Sequence, residues 1–351
     1  MAKRVCWLAL AFCLPLCLLS PIANGNGAAP APLFDSDQVL NVRIAAAFDI
    51  DPRDWPVDEY VSGQFYYTAG NGELVELDVG IKVRGQYRRR PEVCSFPPLR
   101  LNFKKSQVKD TFFAGQDKLK LVTHCSTGSH FYEQAILAEF LAYRILNQLT
   151  DISFRVRLLR IEYTNISDGK SFHGYGILIE HKDNLAKRIG MPPLSVEKIP
   201  VSELDLDYLN LVSVFQYLIG NTDFASSAGG SGGECCHNHT LFGSEGDPYY
   251  SIPYDFDMSG FVDAPYAAPN PKLRLESVQE RLYRGRCINN DLLPATLEHF
   301  RAKRYEIEAM VREQPELSQR RRSDMLNYID KFYRSISSSR GIKRNLVRKC
   351  R

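Results

Sequence analysis

The sequence predicts an α+β fold of two lobes, an N-terminal antiparallel β lobe over residues 39–183 and a C-terminal, mainly helical lobe over residues 184–336. Two observations support this division. Up to about residue 180, short runs of alternating apolar and polar residues are separated by polar turns, which is typical of antiparallel strands. Beyond that point helix-like segments predominate, interrupted by one predicted hairpin. A ligand is expected to bind where two such lobes meet.

The first 25 residues have the pattern of a signal peptide. Lys3 and Arg4 form a basic start, Val5 to Leu19 is an apolar run, and Ala23-Asn24-Gly25 offers small residues for cleavage. The alternative is an uncleaved membrane anchor, for which the apolar run is short. We therefore expect an exported protein, periplasmic or extracellular, with a flexible lead-in at residues 26–38 and no membrane span after signal removal.

Composition and charge exclude some classes of partner. The chain has 351 residues, of which 44% are apolar and 24% charged, as in globular proteins. Cleavage after Gly25 would leave 42 basic against 41 acidic residues, which gives no electrostatic footprint for nucleic acid. Residues 337–351 are rich in Ser, Lys and Arg and predict a mobile basic tail.

Cysteine usage agrees with export. Six cysteines lie beyond the predicted signal peptide, and an even number in an exported chain predicts disulfides: Cys94, Cys125, Cys235, Cys236, Cys287 and Cys350. We favour a pairing of Cys94 with Cys125, because both flank strand-like runs of one predicted sheet. A zinc site at Cys235-Cys236, beside His237 and His239, is the alternative for the adjacent pair.

Two features of the predicted β lobe carry cations. The segment Pro98 to Lys104 alternates, so that Leu99, Leu101 and Phe103 should face the core while Arg100, Asn102 and Lys104 occupy the other face. Arg84 begins a loop, residues 84–90, that contains four arginines. A basic loop after a strand is able to hold a phosphate chain, and the alternative is an ordinary solvated basic surface.

One helix-like segment, residues 131–147, is apolar over most of its circumference and should be buried. A carboxylate inside a buried helix usually has a partner, because unpaired burial is costly. Glu139 is therefore expected to pair with a strand Lys or Arg that contacts nucleotide phosphates, and Glu133 is expected to be a surface residue. The strand-like run that ends at Glu180 would lead into a linker between the lobes, where adenine would bind.

The richest stretch of the sequence lies between Tyr208 and Gly260. A helix-like segment leads to Asp223, Asn238 follows 15 residues later, and a predicted hairpin ends at Asp255 and Asp257. Phosphoryl transfer uses this order of groups: a carboxylate orients the nucleophile, an amide binds a metal ion, and a further carboxylate bridges metal and phosphate.

Seven short motifs occur in an order that resembles the CotH family, the spore-coat-protein-H-like atypical protein kinases. They are VRG at 83–85, PLRLNFKK at 98–105, EFLAYRIL at 139–146, GYGILIEHKD at 174–183, IGNTD at 219–223, HNHTLF at 237–242 and IPYDFD at 252–257. The resemblance covers roughly residues 40–262. It implies a two-lobed protein-kinase-like fold and transfer of a phosphoryl group from ATP with Mg²⁺ or Mn²⁺.

The resemblance also implies residue roles. Asp223 matches the catalytic aspartate, Asn238 and Asp255 match the metal ligands, and Asp257 would assist them. Among groups that bind the nucleotide, the resemblance implies Glu139 and the strand cation Arg100, with Lys104 as its substitute. Arg84 in the basic loop and Glu180 before the linker are expected at the same site from the residue pattern alone. The chain departs from the pattern in two places: it has no Gly-x-Gly-x-x-Gly loop, and residues 225–234 widen the gap between Asp223 and Asn238.

The sequence therefore predicts an exported, ATP-dependent phosphotransferase whose acceptor is a hydroxyl of a protein or another molecule. The alternative from a different class is a catalytically inactive binding or assembly module on the same fold, because function belongs to the site and not to the scaffold. Metal-dependent hydrolysis by the same carboxylates is a further possibility. Binding of ATP with metal, followed by a test of transfer, discriminates between the first two.

Overall fold

Seven strands form a closed barrel in the computed structural model, which describes residues 1, 32–48, 51, 54–55, 59–229 and 234–351. Around the barrel the strands follow the order β1-β2-β3-β4-β5-β7-β6. Their bounds are β1 (Leu40–Ala46), β2 (Val61–Thr68), β3 (Leu74–Val83), β4 (Leu99–Phe103), β5 (Lys118–Val122), β6 (Val156–Asn165) and β7 (Ser171–Ile179). Residues 2–25 of the predicted signal peptide and residues 26–31 of the lead-in lie outside the described residues.

The predicted fold class is wrong. In place of an open antiparallel lobe of a two-lobed kinase-like fold, the structure has a mixed, closed barrel. Strand β1 pairs antiparallel with β2 but parallel with β6, from Leu40 opposite Leu159 to Ala46 opposite Asn165. Alternating polarity indicates that a segment is a strand, but it carries no information about which distant strand will pair with it or in which direction. The closing pair is of this distant kind.

The strands form because their apolar residues alternate, and the barrel interior collects them. Along β4, Leu99, Leu101 and Phe103 are buried while Arg100 and Asn102 are partly exposed, which confirms the facing predicted from the sequence. Aromatic rings fill the interior, with Phe65 packed edge-on against both Phe103 and Phe113. Such contacts between rings stabilise a core beyond the burial of their area.

The described residues also contain eight α-helices. Their bounds are α1 (Lys105–Val108), α2 (His130–Leu149), α3 (Lys182–Ile189), α4 (Leu206–Ile219), α5 (Leu293–Ala302), α6 (Arg304–Glu313), α7 (Gln319–Ser335) and α8 (Ser339–Asn345). Helix α2 packs against β6 and β7 on one side and against α6 on another, so it lies between the barrel and the C-terminal helices. Burial on several sides explains why apolar residues cover most of its circumference, as the sequence predicts.

A second, three-stranded sheet completes the fold and carries the predicted hairpin. Its strands are β8 (Pro193–Leu194), β9 (His239–Phe242) and β10 (Tyr250–Pro253), in the order β10-β9-β8. The hairpin register pairs Tyr250 with Phe242 and Pro253 with His239. The residue before β9 and the residues after β10 are therefore neighbours at one end of the hairpin.

Three disulfides join the six cysteines. The pair Cys94–Cys125 confirms the sequence prediction, and Cys235 pairs with its neighbour Cys236. A cysteine in a disulfide is not a thiolate ligand, so these two do not supply the zinc site that was the alternative. The third disulfide, Cys287–Cys350, holds the predicted basic tail, residues 337–351, against the body of the protein, and this segment contains helix α8.

No helix in the described part of the chain combines the length and the apolar character needed to cross a bilayer.

Barrel closure leads to a stability prediction. Ile44 on β1 is fully buried and lies opposite Phe65 on β2 and Tyr163 on β6, so truncation leaves a cavity at the closing strand pair. We expect Ile44→Ala to lower the free energy of unfolding by about 2–5 kcal/mol. Asn41→Ala, at an exposed position of the same strand, should change it by no more than about 0.5 kcal/mol. Urea denaturation measures both, and equal effects would contradict the closed barrel.

Candidate active site

Three buried or half-buried carboxylates and one arginine form the centre of the site. Asp255 and Asp257 follow strand β10, and Arg88 comes from the basic loop after β3. The Arg88 guanidinium lies 3.4 Å from Asp257 (Nε to Oδ2) and 3.9 Å from Asp255 (Nη2 to Oδ1). Arg88 also donates to the hydroxyl of Tyr266 at 3.2 Å, and that hydroxyl donates to Asp257 at 3.1 Å. The basic loop therefore folds onto the acidic end of the hairpin.

Helix α2 contributes the third carboxylate, Glu139, which is 1% exposed and has an Oε1 atom without a hydrogen-bond partner. Burial raises the pKa of Glu139 to about 8; Arg88 opposes this shift, while Asp257 and Asp255 add to it. Burial and the nearby Asp255 raise the pKa of Asp257 to about 7, again against Arg88. A cation bound beside these carboxyl groups would stabilise their ionised forms.

Asp223 and Asn238 lie together although 15 residues separate them. The Nδ2 group of Asn238 donates to the main-chain oxygen of Asp223 at 2.7 Å and to its Oδ2 at 3.0 Å. The other carboxylate oxygen, Oδ1, lies 2.9 Å from Nε2 of His237, and this hydrogen bond raises the pKa of His237. His237 is a site residue that sequence reasoning assigned only to a zinc alternative.

The hairpin brings this pair next to the acidic cluster. The main-chain oxygen of Asn238 accepts from the amide of Tyr254 at 2.9 Å, so Asn238 lies one residue away from Asp255 across the hairpin. The amide of Asp255 in turn donates to the hydroxyl of Tyr143 on α2 at 2.8 Å. The structure therefore brings together all four polar residues predicted from the central stretch: Asp223, Asn238, Asp255 and Asp257.

Two cations from the barrel, Arg84 and Lys120, interact electrostatically with Asp255. Arg84 follows β3, and Arg100 on β4 lies opposite Lys120 on β5. Lys120 extends over the ring of Tyr254, with its Nζ 4.1 Å from the ring centroid. Burial lowers the pKa of Lys120 to about 7; Arg84 and Arg100 add to this shift, and Asp255 opposes it. A bound anion would reverse the shift.

Lys120 is absent from the residues predicted from the sequence, although a signal for it exists. It alternates with Leu119 and Leu121 on a strand that pairs with β4, so the same period that exposes Arg100 also exposes Lys120. The strand pairing is what the sequence alone does not provide.

A cavity of about 450 Å³ opens between the barrel and the three-stranded sheet. Four cations line it, together with apolar side chains and the Cys235–Cys236 disulfide. The cations are Arg100, Lys118, Lys120 and Lys182; the other lining groups include Phe154, Ile179, Leu194 and Tyr254. Cavities of this volume hold small-molecule ligands in many proteins.

The remaining two predicted residues have other positions. Glu180 lines the cavity, but its carboxylate binds Arg188 at 2.7 and 3.1 Å and accepts from the amide of Arg155, so it fixes the cavity wall. Lys104 lies outside the cavity and is 65% exposed, with its Nζ 2.6 Å from Asp78 on the outer face of the barrel. The alternation that placed Lys104 on the face of Arg100 ends with β4 at Phe103.

Comparison with protein-family models found no match for this chain, and comparison with curated proteins found none either.

The residues present suit Mg²⁺ or Mn²⁺ better than a metal held by protein groups alone. Among the described residues, no three His, Cys, Asp or Glu side chains gather as a complete metal site. Magnesium usually needs only one or two carboxylates together with substrate phosphates and water. Asp255, Asp257 and the amide oxygen of Asn238 would be the oxygen ligands of such a site.

The raised pKa of Glu139 leads to a pH-dependent prediction for the metal-free protein. The Glu139 carboxyl has a pKa of about 8 in the folded protein and 4.5 in the unfolded chain, so between these values only the folded protein holds the proton. The free energy of unfolding therefore falls as the pH rises through this range. Glu139→Gln removes this loss. In EDTA, we therefore expect the stability of the variant to increase steadily relative to the wild type as the pH rises from 5 to 8.

Urea denaturation at each pH measures the difference. Gln134→Glu serves as a comparison. It adds a carboxyl group at a buried position of the same helix, so it should change the pH dependence in the opposite direction. Parallel pH curves for Glu139→Gln and the wild type would show that Glu139 is ionised in the folded protein.

Proposed function

We propose that this protein is a phosphotransferase that uses ATP and a divalent metal ion to phosphorylate a hydroxyl group. The observation that carries the proposal is the arrangement of opposite charges: Asp223, Asn238, Asp255 and Asp257 gather at one end of a hairpin, and the barrel cations Arg84 and Lys120 interact with Asp255. The predicted kinase-like fold is wrong and lends no support to this proposal.

The charge of the cavity supports a polyanionic ligand. The four cations Arg100, Lys118, Lys120 and Lys182 line it. The two acidic residues of the lining are both engaged, Glu180 with Arg188 and Glu234 with Ser195, at 2.6 Å in the second case. A nucleoside triphosphate combines several negative charges with a planar base, and the apolar residues of the same wall suit the base.

The mechanism follows from the position of each group. An oxygen of the acceptor hydroxyl attacks the γ-phosphorus of ATP, the bond between that phosphorus and the oxygen of ADP breaks, and the hydroxyl proton passes to Asp223. Asp255 and Asn238 would hold the metal ion, with Asp257 assisting; when bound, the ion neutralises charge on the transferring group. Arg84 and Lys120 stabilise the phosphate oxygens, and Arg88 keeps the two aspartates in place.

The compartment and partners belong to the same proposal. The predicted signal peptide and three disulfides support export, because disulfides persist in oxidising compartments. A small net charge of +3 does not favour nucleic acid. The nucleotide and a protein acceptor are the partners that the site suits.

Phosphoryl transfer is tested with γ-labelled ATP and Mn²⁺ or Mg²⁺, using the wild type and the isosteric variants Asp223→Asn and Asp255→Asn. We expect label on the wild type or on an added protein mixture, and a loss of at least about 100-fold in each variant, since each removes a group that acts in the transition state. Thermal unfolding checks that the variants are folded. Equal labelling by Asp255→Asn and the wild type would refute the proposed site.

Nucleotide binding is tested separately with a matched pair of lysine variants. Lys120→Met removes a cavity cation, whereas Lys104→Met removes the exposed lysine on the outer face of the barrel. Because a charge-assisted bond to a bound phosphate is worth about 1.5–3 kcal/mol, we expect the first to weaken ATP binding roughly 10- to 100-fold and the second less than about twofold. Calorimetry measures both. ATP binding without transfer by the wild type would favour the binding-module alternative, and equal effects would place the nucleotide elsewhere.

A further inference from the structure

Arg284 binds the main chain of the loop that carries Asp223. Its Nη1 group donates to the main-chain oxygens of Thr222 and Phe224, each at 2.7 Å, so it bonds the residues on both sides of Asp223. Its guanidinium also lies 4.6 Å from the ring centroid of Phe224. Arg284 is thereby fixed beside the carboxylate that would meet the acceptor hydroxyl.

Two further arginines lie beside Arg284. Arg286 donates from Nη2 to the hydroxyl of Ser227 at 3.1 Å. The Cys287–Cys350 disulfide holds Arg351 next to this segment. The amide of Arg351 donates to the main-chain oxygen of Gly285 at 2.9 Å, and the main-chain oxygen of Arg351 accepts from the amide of Cys287 at 3.1 Å. The disulfide thus brings the third cation to the loop of Asp223.

Within the described residues, none of these three arginines forms an ion pair with an Asp or Glu side chain, although many other arginines of the protein do. Burial lowers the pKa of Arg284 to about 10, and Arg351 and Arg286 add to that shift while Asp223 opposes it. Holding three like charges together is unfavourable, so the cluster is suited to an anionic ligand.

An anion bound by the three arginines would lie at a different place from the proposed nucleotide. None of the three arginines lines the cavity assigned to ATP. The carboxylate of Asp223 already accepts from His237 and Asn238, so it does not neutralise the cluster through a direct ion pair. The arginines therefore adjoin the loop of Asp223 without lining the cavity.

We propose that Arg284, Arg286 and Arg351 recognise acidic residues that flank the hydroxyl of a peptide acceptor, so that the substrate class is an acidic Ser- or Thr-containing segment. This inference rests on the proposed function and adds the identity of the acceptor. Guanidinium groups bind carboxylates through paired, charge-assisted hydrogen bonds, and three of them around one loop match one to three carboxylates near the reacting hydroxyl. Nucleic acid is less suitable, because it would engage a longer row of cations than one loop provides.

Peptide binding is measured first, by fluorescence anisotropy without nucleotide, so that the result does not depend on transfer. One labelled peptide carries a Ser flanked by Glu residues, and its matched control carries Gln in their place. The test variant is Arg286→Gln with Arg351→Gln, which spares the Arg284 contacts that hold the loop. The control variant, Arg340→Gln with Lys343→Gln, removes the same charge from exposed positions of α8.

We expect the wild type and the control variant to prefer the Glu peptide. The test variant lacks two arginines and should lose roughly four- to twenty-five-fold of that preference, because each exposed ion pair is worth a factor of about two to five. The preference should also weaken as salt is raised. Equal binding of both peptides by the wild type, or equal preference in both variants, would overturn the proposal. Tighter binding of a single-stranded oligonucleotide than of the Glu peptide would overturn it in favour of nucleic acid.

The transfer assay then separates this inference from the proposed function. Transfer by the wild type to both peptides at equal efficiency would overturn the acidic acceptor and leave the phosphotransferase intact. A preference for the Glu peptide in binding, with no transfer to either peptide, would contradict the phosphotransferase and keep the cluster as a binding site for acidic segments.

Discussion

The contact of Arg88 with Asp257 and Asp255 is the interaction on which the candidate site depends. It joins three parts of the chain that are distant in sequence: the loop after β3, helix α2 through Glu139, and the end of β10. A buried ion pair of this kind contributes little net stability, but removing one partner leaves an unpaired buried charge and is strongly destabilising. The acidic end of the hairpin therefore stays inside the protein only while the basic loop covers it.

Backbone conformation at the hairpin end shows the same constraint. Asn238 and Asp255 both have positive φ angles, 54° and 64°, in a region that residues other than Gly adopt at a cost. Each is held there by specific bonds, Asn238 by Asp223 and Tyr254, and Asp255 by the hydroxyl of Tyr143. The surrounding structure thus supports an unfavourable local geometry at the two residues that would hold a metal ion, which is where such strain is usually retained.

Sequence reasoning identified the parts of the site that are encoded locally. The period of β4 placed Leu101 inside the barrel and Arg100 outside its core, and the order of polar residues identified Asp223, Asn238 and Asp255. It failed wherever long-range pairing decides the outcome. The parallel pairing of β1 with β6 has no local signature, Lys120 reaches the cavity only because β5 pairs with β4, and Glu139 adjoins a loop arginine in place of the expected strand cation. Lys104 follows the last residue of β4, where the alternation no longer applies.

The insertion at residues 225–234 shows why the long gap between Asp223 and Asn238 does not separate them. Ala225 donates to the main-chain oxygen of His237 at 3.0 Å, so the ends of the insertion meet before the loop departs. Beyond that point Lys198 pairs with Ala228, and Cys235 returns the chain to the cavity wall. Because the cost of closing a loop rises only slowly with its length, additional residues leave the geometry at its base unchanged. The insertion thus contributes Ser227 to the arginine cluster, and Cys235, the residue that follows it, lines the cavity proposed for the nucleotide.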